Sequence, residues 1–462
     1  MPNMSPKKIA MPEQDPGHRI HNFEEVAKGY TKENAVEEAT RCLNCKHKPC
    51  VAGCPVNVPI PEFIQAVVNE DFEKAYQIIV SENRLPAICG RVCPQERQCE
   101  ARCVRAIKGD SVGVGRLERF VADYHMAQVK EETFTIKSNG IKIAIVGSGP
   151  ASISCASDLA VKGYKVTIFE ALHELGGVLV YGIPEFRLPK QLVKEEFDKV
   201  LALGVEVEKN VIVGKSITIE ELLGDGFSAI FIGSGAGLPN FMNIPGENLG
   251  GVYSSNEFLT RVNLMKAYKY PEYPTPIIIG ERVAVVGAGN VAMDSARTAM
   301  RLGAKEVYII YRRGEEEIPA RLEEVHHAKE EGIIFELLTN PVEIHGTEGK
   351  VTAIECVKMG LGEPDHSGRR RPIEIKGSNF TIPIDTVVIA VGQTPNPLIK
   401  NTTKALEVTR WGGIVVNEET METTLENVYA GGDAVTGAAT VILAMGAGKK
   451  AAKAIDEKLK IK

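Results

Sequence analysis

No stretch of eighteen consecutive apolar residues occurs in this chain, so nothing in it is expected to cross a bilayer as a helix. The first twenty residues, MPNMSPKKIAMPEQDPGHRI, lack the apolar core of a secretory signal. An excess of basic charge is missing too: 54 lysines and arginines against 60 acidic residues leave a net charge of -6. That balance argues against a nucleic-acid partner, whose phosphates ask for a basic face. Collagen-like, coiled-coil and low-complexity tracts are absent. The class left is a cytoplasmic globular protein that acts on small molecules or other proteins.

Cysteine is scarce except in one region. Outside residues 42–103 only Cys155 and Cys356 occur, 201 positions apart, which makes a redox disulfide between them unexpected and small buried hydrophobes the better reading. The other eight run Cys42, Cys45, Cys50, Cys54-Pro55, then Cys89, Cys93-Pro94, Cys99, Cys103. Thiolate sulfur suits iron-sulfur clusters and zinc far better than harder ions. The first run, C-x2-C-x4-C-x3-C-P, ends as bacterial ferredoxin runs end, with a longer second gap. A disulfide framework belongs to small secreted domains and does not suit a chain of 462 residues. Zinc remains open, since eight thiols suffice for two ions. Iron-sulfur clusters, and with them electron transfer, are the favoured reading.

The length suggests about three domains, and 44% hydrophobic residues, 25% charged residues and 44 glycines describe an α/β protein. Residues 22–130 look helical: NFEEVAKGYTKENAVEEATRCL and IPEFIQAVVNEDFEKAYQIIV carry apolar residues at three- and four-residue steps, with the thiols in loops between helices. A further helix around Leu117–Phe120 leads to the polar stretch KEETFTIKSNG, and a boundary is expected at Gly140. From Lys142 onward, short β-branched strands alternate with helices, as in parallel sheets with crossovers.

Two segments after that boundary are alike, KIAIVGSGPASISCASDLAVKGYKVTIFE (142–170) and RVAVVGAGNVAMDSARTAMRLGAKEVYIIYRR (282–313). Each reads as strand, glycine turn, helix and strand, the form of a dinucleotide site. In the first, Gly147 makes the tight turn and Gly149 admits a pyrophosphate at the helix N-terminus. Ser152 stands where glycine or alanine is expected for close helix–strand packing. Glu170, 23 residues after Gly147, is placed to accept from ribose hydroxyls. The second has Gly287, Gly289 and Ala292, but Arg312 and Arg313 end its second strand where Glu170 ended the first. Guanidinium groups there favour a ribose 2′-phosphate, so NADP(H) is expected at this site. His326-His327 and the Glu315–Glu317 run read as solvated surface, adjacent residues not sharing a helix face.

Downstream, AVGQTPN (390–396) and TTLENVYAGGDAVTGAAT (423–440) resemble segments of flavoproteins with two dinucleotide-binding domains. That resemblance implies FAD at the first site, with Asp433 of Gly432-Asp433 bonding the ribityl chain. The expected architecture is an N-terminal helical two-cluster iron-sulfur domain (1–140) followed by two Rossmann-like domains. The FAD domain (141–270 and 385–462) is interrupted by the NADP(H) domain (271–384), and the prolines of YPEYPTP (270–276) mark the crossing. Expected FAD contacts are Gly147, Ser148, Gly149, Pro150, Ala151, Glu170, Gly177, Gly233, Gly432, Asp433 and Thr440. Expected NADP contacts are Gly287, Ala288, Gly289, Asn290, Val291, Arg312, Arg313 and Arg321.

From Cys42 to the C-terminus the chain resembles the glutamate synthase small-subunit family, which shares its cluster domain with dihydropyrimidine dehydrogenase. Within it, GRVCPQERQCE (90–100), ALHELGGVLVYGIPEFRLPK (171–190) and FMNIPGENLGGVYSSNEFLTRVNLMKAYKYPEY (241–273) look most like the large subunits of NADH-dependent reduced ferredoxin:NADP oxidoreductases, which are electron-bifurcating flavoproteins. The resemblance implies one 4Fe-4S cluster on Cys42, Cys45, Cys50 and Cys103 and another on Cys54, Cys93, Cys99 and Glu118, leaving Cys89 spare. It also implies a hetero-oligomer with ferredoxin and an NAD-linked flavoprotein or iron-sulfur subunit as partners. A glutamate synthase small subunit, a simple ferredoxin-NADP reductase and a non-catalytic relay subunit are the alternatives. Glu185, Arg187 and Lys190 are expected near the flavin, with no side chain assigned as acid or base. Arg41, Lys46, Lys48, Arg97, Arg102 and Arg105 form either a positive patch for an acidic ferredoxin or ordinary solvated charges.

Overall fold

The computed structural model describes residues 2–129, 134–365 and 367–460. The first four residues of KEETFTIKSNG lie outside them. Among the described residues no helix is long and apolar enough to cross a membrane.

The N-terminal third is helical, with boundaries that differ from the periodicity. The first helix of the 22–43 stretch runs only over Lys32–Thr40, because Thr31 and Asn34 exchange side-chain-to-backbone hydrogen bonds and fix its start. The second expected helix is two, Ile60–Val68 and Phe72–Val80. Glu70 sits in the left-handed region at φ +58°, and the Asp71 carboxylate accepts from the Lys74 amide to begin the second. Helices Pro86–Val92 and Val114–Gln128 complete the layer. Phe63, Ile64, Ile79, Leu85, Ile88, Leu117 and Val121 are buried among them, each contributing roughly 1.5–3 kcal/mol of apolar burial. Gly90 lets two of these helices touch, since a Cβ there would lie 2.6 Å from the Arg119 amide nitrogen.

Two parallel five-stranded sheets follow. The first has the order Val428–Ala430, Ala229–Ile232, Lys142–Val146, Lys165–Glu170, Glu206–Lys209. The second has Val252–Ser254, Thr386–Ile389, Arg282–Val286, Glu306–Tyr311, Ile334–Leu337. Near-continuous burial of their strands accounts for the unbroken apolar runs KIAIV and RVAVV. The second sheet draws Val252–Ser254 and Thr386–Ile389 from outside the expected 271–384 unit. Parallel pairing on both sides of Thr386–Ile389 recruits them, a long-range effect that the prolines at 270–276 did not mark. Strands Thr339–Thr347, Lys350–Pro364, Arg370–Glu374 and Phe380–Pro383 form an antiparallel layer beside that sheet.

The three parts are tied by a buried charge network. Arg187 donates to both carboxylate oxygens of Asp294, at 2.7 and 2.8 Å, and pairs with Glu324 at 3.0 Å. Arg297 joins Glu324 and Glu331, and Arg19 from the N-terminal segment reaches Glu331 at 2.8 Å. The Phe186 ring lies under the Arg301 guanidinium at 3.9 Å. Arg187 is therefore spent on the NADP domain instead of approaching the flavin pocket. Lys190 is turned inward to the Ile183 and Leu188 carbonyls, and the Glu185 carboxylate accepts from the Lys190 amide. His327 departs from the surface reading as well: it is buried, with Nε2 3.0 Å from Glu13, while His326 is exposed.

Candidate functional site

The thiols gather into two groups. Cys42, Cys45, Cys50 and Cys103 line one cavity, walled by Leu43, Ile60 and Ile64. Left-handed Asn44, Lys48 and Asn57 curl this loop around them. Burial pushes the Cys50 thiol up to about 11, and the neighbouring Cys42 and Cys103 add to it. In the second group, burial pushes Cys54 up to about 11, with Glu118 and Cys93 adding to the rise. Cys99 is raised by burial and then by Glu100, Cys54, Glu118 and Cys93. The 3-10 turns Gln95–Arg97 and Glu100–Arg102 fold the 93–103 segment so that Cys99 serves one group and Cys103 the other.

Both donor sets fit iron-sulfur clusters. Crowded, buried thiols oppose one another's ionisation, and a cationic iron core removes that penalty. Among the described residues, the donor groups with atoms all within 4.8 Å of one another are Glu13, His327, Glu330 and Glu343, His345, Glu355, and neither contains a cysteine. Tetrahedral zinc with Zn–S near 2.3 Å needs sulfurs about 3.8 Å apart, and among the described residues no such close group of three donors includes a cysteine. The Val112 amide, 3.5 Å from Cys103 Sγ, adds an N–H···S contact of the kind that tunes such sites.

Glu118 sits on Val114–Gln128, and burial raises its carboxyl to about 7. The side chain of Asn83 donates to it at 2.7 Å. Cys89 is fully buried, with Sγ 3.6 Å from both Asn83 Oδ1 and the Met445 sulfur. Sequence reasoning missed Asn83 and Met445, which carry no motif. Of the charges beside the cysteines, Arg41 is buried against Glu38 and Arg97 is spent on the carbonyls of residues 318–320. Lys46, Lys48 and Arg102 are exposed.

The FAD-type crevice lies at the switch point of the first sheet, where the chain leaves Lys142–Val146 for opposite sides. A Cβ on Gly147 would lie 2.8 Å from the Gly233 carbonyl oxygen, while Gly149 faces open space, leaving room for a diphosphate. Pro150 and Ala151 begin helix Pro150–Ala160, and Gly177 packs on Gly149. Ser152 is resolved by a partner: its hydroxyl is 3.5 Å from the Val146 and Gly233 carbonyls, and a Cβ at Gly233 would strike it. Glu170 accepts from Ser148 Oγ at 2.5 Å, from the Ser148 amide and from the Leu172 amide, so its carboxylate shapes the loop. Gly432, at φ +67°, sets Asp433 beside the crevice, where burial raises its carboxyl. Thr440 begins helix Val441–Lys460, its hydroxyl accepting from the Leu443 amide. These residues fit FAD.

The second crevice repeats the design. Gly287 abuts the Ala390 carbonyl, Ala288 is buried, Gly289 faces open space, and Asn290 and Val291 open helix Asn290–Arg301. Its two arginines differ. Arg312 is exposed and, among the described residues, has no hydrogen bond or ion pair, whereas Arg313 is buried on Asp365 at 2.7 Å and the Arg370 carbonyl at 2.8 Å. Arg321 faces the cluster domain, donating to the Arg91 carbonyl, Gln95 and Glu323. Open backbone at Gly289 and an unpaired guanidinium at Arg312 fit NADP(H).

Two family models match: "Dihydropyrimidine dehydrogenase domain II, 4Fe-4S cluster" over residues 19–130 and "Pyridine nucleotide-disulphide oxidoreductase" over residues 141–455. Fold and site define an NADP-dependent oxidoreductase that carries FAD and 4Fe-4S clusters. Over 454 residues the chain is 36% identical to the glutamate synthase [NADPH] small chain of Halomonas elongata, covering 96% of this chain and 95% of that one. It belongs to the glutamate synthase small-subunit family of the pyridine nucleotide-disulphide oxidoreductases. It is also 39% identical to the NADP(+)-dependent formate dehydrogenase subunit beta of Moorella thermoacetica across 89% of its own length, but spans only 60% of that protein. Among solved structures, Mycobacterium tuberculosis FprA in complex with NADPH shares the fold at TM-score 0.59 and 22% identity, covering 70% of this chain and 85% of that one. T. acidophilum thioredoxin reductase does so at 0.52 and 23%, covering 69% and 98%.

Proposed function

We propose that this chain is the NADP(H)- and FAD-binding subunit of a cytoplasmic hetero-oligomer that exchanges electrons among NADP(H), ferredoxin and an NAD-linked partner subunit, by electron bifurcation. One observation carries the reading. The backbone of Pro55, next to Cys54, abuts Gly446, whose would-be Cβ lies 3.1 Å from the Pro55 oxygen. Gly446 belongs to the same helix as Ala444, which packs on Gly432 at the FAD crevice. The second thiol group thus adjoins the flavin side, while all four cysteines of the first group are partly exposed.

When bound, FAD converts a hydride's two electrons into the single electrons that 4Fe-4S clusters carry. The chain's residues orient and enclose. Arg312 holds the 2′-phosphate of NADP(H), Gly289 and Gly149 admit diphosphates, and Asp433 accepts from the ribityl hydroxyls. Cys54, Cys93, Cys99 and Glu118 hold the inner cluster, and Cys42, Cys45, Cys50 and Cys103 the outer one. Lys46 and Arg102 beside the outer group offer positive charge to an acidic ferredoxin, while Lys48 is paired with Glu62. The likeness of residues 90–100, 171–190 and 241–273 to bifurcating subunits supports the finer reading. Near-complete coverage of glutamate synthase small chains favours a second one, in which the electrons feed an amidotransferase subunit.

Anaerobic assay of the native complex with NADPH and ferredoxin, with and without NAD, tests the proposal. Ferredoxin reduction that requires NAD supports it. Reduction that proceeds equally without NAD contradicts bifurcation.

A further inference from the structure

Glu118 is an unusual donor among thiols, and something must aim it. We infer that Asn83 is the positioning residue that presents Glu118 to the inner cluster and raises that cluster's reduction potential. The inference rests on the reading of Glu118 as a ligand.

Asn83 is 1% exposed and lies between helices Phe72–Val80 and Pro86–Val92. The Leu85 amide donates to its Oδ1 at 3.0 Å. A backbone N–H can only donate, so this contact fixes which end of the amide is oxygen. The NH2 end then faces Glu118 Oε1 at 2.7 Å, short enough for a charge-assisted bond. Cys89 Sγ, 3.6 Å from the same Oδ1, sits where its thiol hydrogen is a second donor to that oxygen. One amide therefore links the spare cysteine to the proposed ligand. Asn83 is the hydrogen-bond partner of Glu118 among the described residues, and it occupies one of the two carboxylate oxygens. Partners of this kind commonly orient metal ligands and tune the metal.

The sign follows from charge. Reduction adds negative charge to the cluster and its ligands, and a donor on the carboxylate stabilises that charge, so losing the donor lowers the potential. A purely structural role, holding the Leu85 turn, moves no cluster property.

The test is redox titration of the intact holoprotein followed by EPR, with iron and flavin assayed. Asn83→Ser keeps an oxygen for the Leu85 amide and cannot reach Glu118. Asn83→Asp keeps that oxygen and replaces only the donor, so it covers the case in which the serine variant folds poorly. The expected result is a shift of one cluster's midpoint to more negative potential, with an altered signal. The other cluster and the flavin content stay as in wild type, and the aspartate variant shows the larger shift or loses that cluster's iron. Unchanged potentials and signals in both variants, alongside a Glu118→Ala variant that alters one cluster, overturn the role of Asn83 alone. A Glu118→Ala variant with wild-type iron and EPR overturns the ligand reading and this inference with it.

Discussion

The sulfur of Cys89 lies 3.6 Å from the sulfur of Met445, joining the helix that precedes Cys93 to the helix that closes the FAD crevice. Fully buried and bonded to Asn83, Cys89 also hydrogen-bonds Cys93 at the seam between cluster and flavin domains, and the proposed ligand set leaves it spare. Cys89→Ser is expected to keep the full iron content and both cluster signals, because serine preserves the donor to Asn83. Loss of about half the iron would make Cys89 a ligand and Glu118 a bystander.

The two arginines at the end of Glu306–Tyr311 do different work. Arg312→Ala is expected to raise the KM for NADPH about 10- to 100-fold while leaving that for NADH nearly unchanged, the loss of a charge-assisted bond worth roughly 1.5–3 kcal/mol. Arg313→Ala breaks the contacts to Asp365 and the Arg370 carbonyl, and so lowers the melting temperature. Steady-state kinetics with both nucleotides, beside thermal melts, separates the effects.

Ser152 and Gly233 form a matched pair. Gly233→Ala is expected to cost about 1–3 kcal/mol and to lower FAD retention, because the new methyl meets the Ser152 hydroxyl. Ser152→Ala in the same chain restores only part of the loss, since the Phe231 ring also lies 3.0 Å from the new carbon. Equal FAD retention in the single and double variants would show the pair to be uncoupled.

Glu196 links stability to pH at the seam between the flavin and cluster domains. Burial raises its carboxyl to about 7, well above the ordinary 4.5, while Oε2 accepts from the Ala87 amide at 3.1 Å. Because the folded-state value is raised, the fold favours the neutral form. Its contribution is full below about pH 4.5 and is lost as the pH rises through about 7. Glu196→Gln is expected to remove this loss, on the order of 3 kcal/mol above pH 7. Denaturant melts at pH 5 and pH 8 read it out: a variant whose stability changes with pH as much as wild type does contradicts the assignment.

The two strand–turn–helix units were legible in the sequence because glycine spacing and apolar strands are local signals: Gly147 and Gly287 abut the carbonyls of Gly233 and Ala390, and Gly149 and Gly289 face open space. The two thiol groups were not legible from spacing. Cys99 and Cys103 are four residues apart yet serve different groups, and only the turns between them make it so. The partners of Arg187, Arg313 and Arg321 were not legible for one reason: an arginine's sequence position says nothing of which carboxylate or carbonyl the tertiary fold offers it. The helix starts at Lys32 and Phe72 turned on Thr31 and Asp71, small capping signals overshadowed by apolar periodicity. Strands Val252–Ser254 and Thr386–Ile389 joined the second sheet through pairing that no local pattern encodes.

The central claim is that thiol-held iron and flavin share one electron pathway ending at NADP. The anaerobic holoprotein, fully reduced and freed of reductant, is mixed with excess NADP, and the NADPH formed and the cluster EPR signals are followed together. The account predicts about two NADPH per chain, one from the flavin and one from the paired electrons of the clusters, as the EPR signals vanish. About one NADPH per chain, with the cluster signals undiminished, would contradict it.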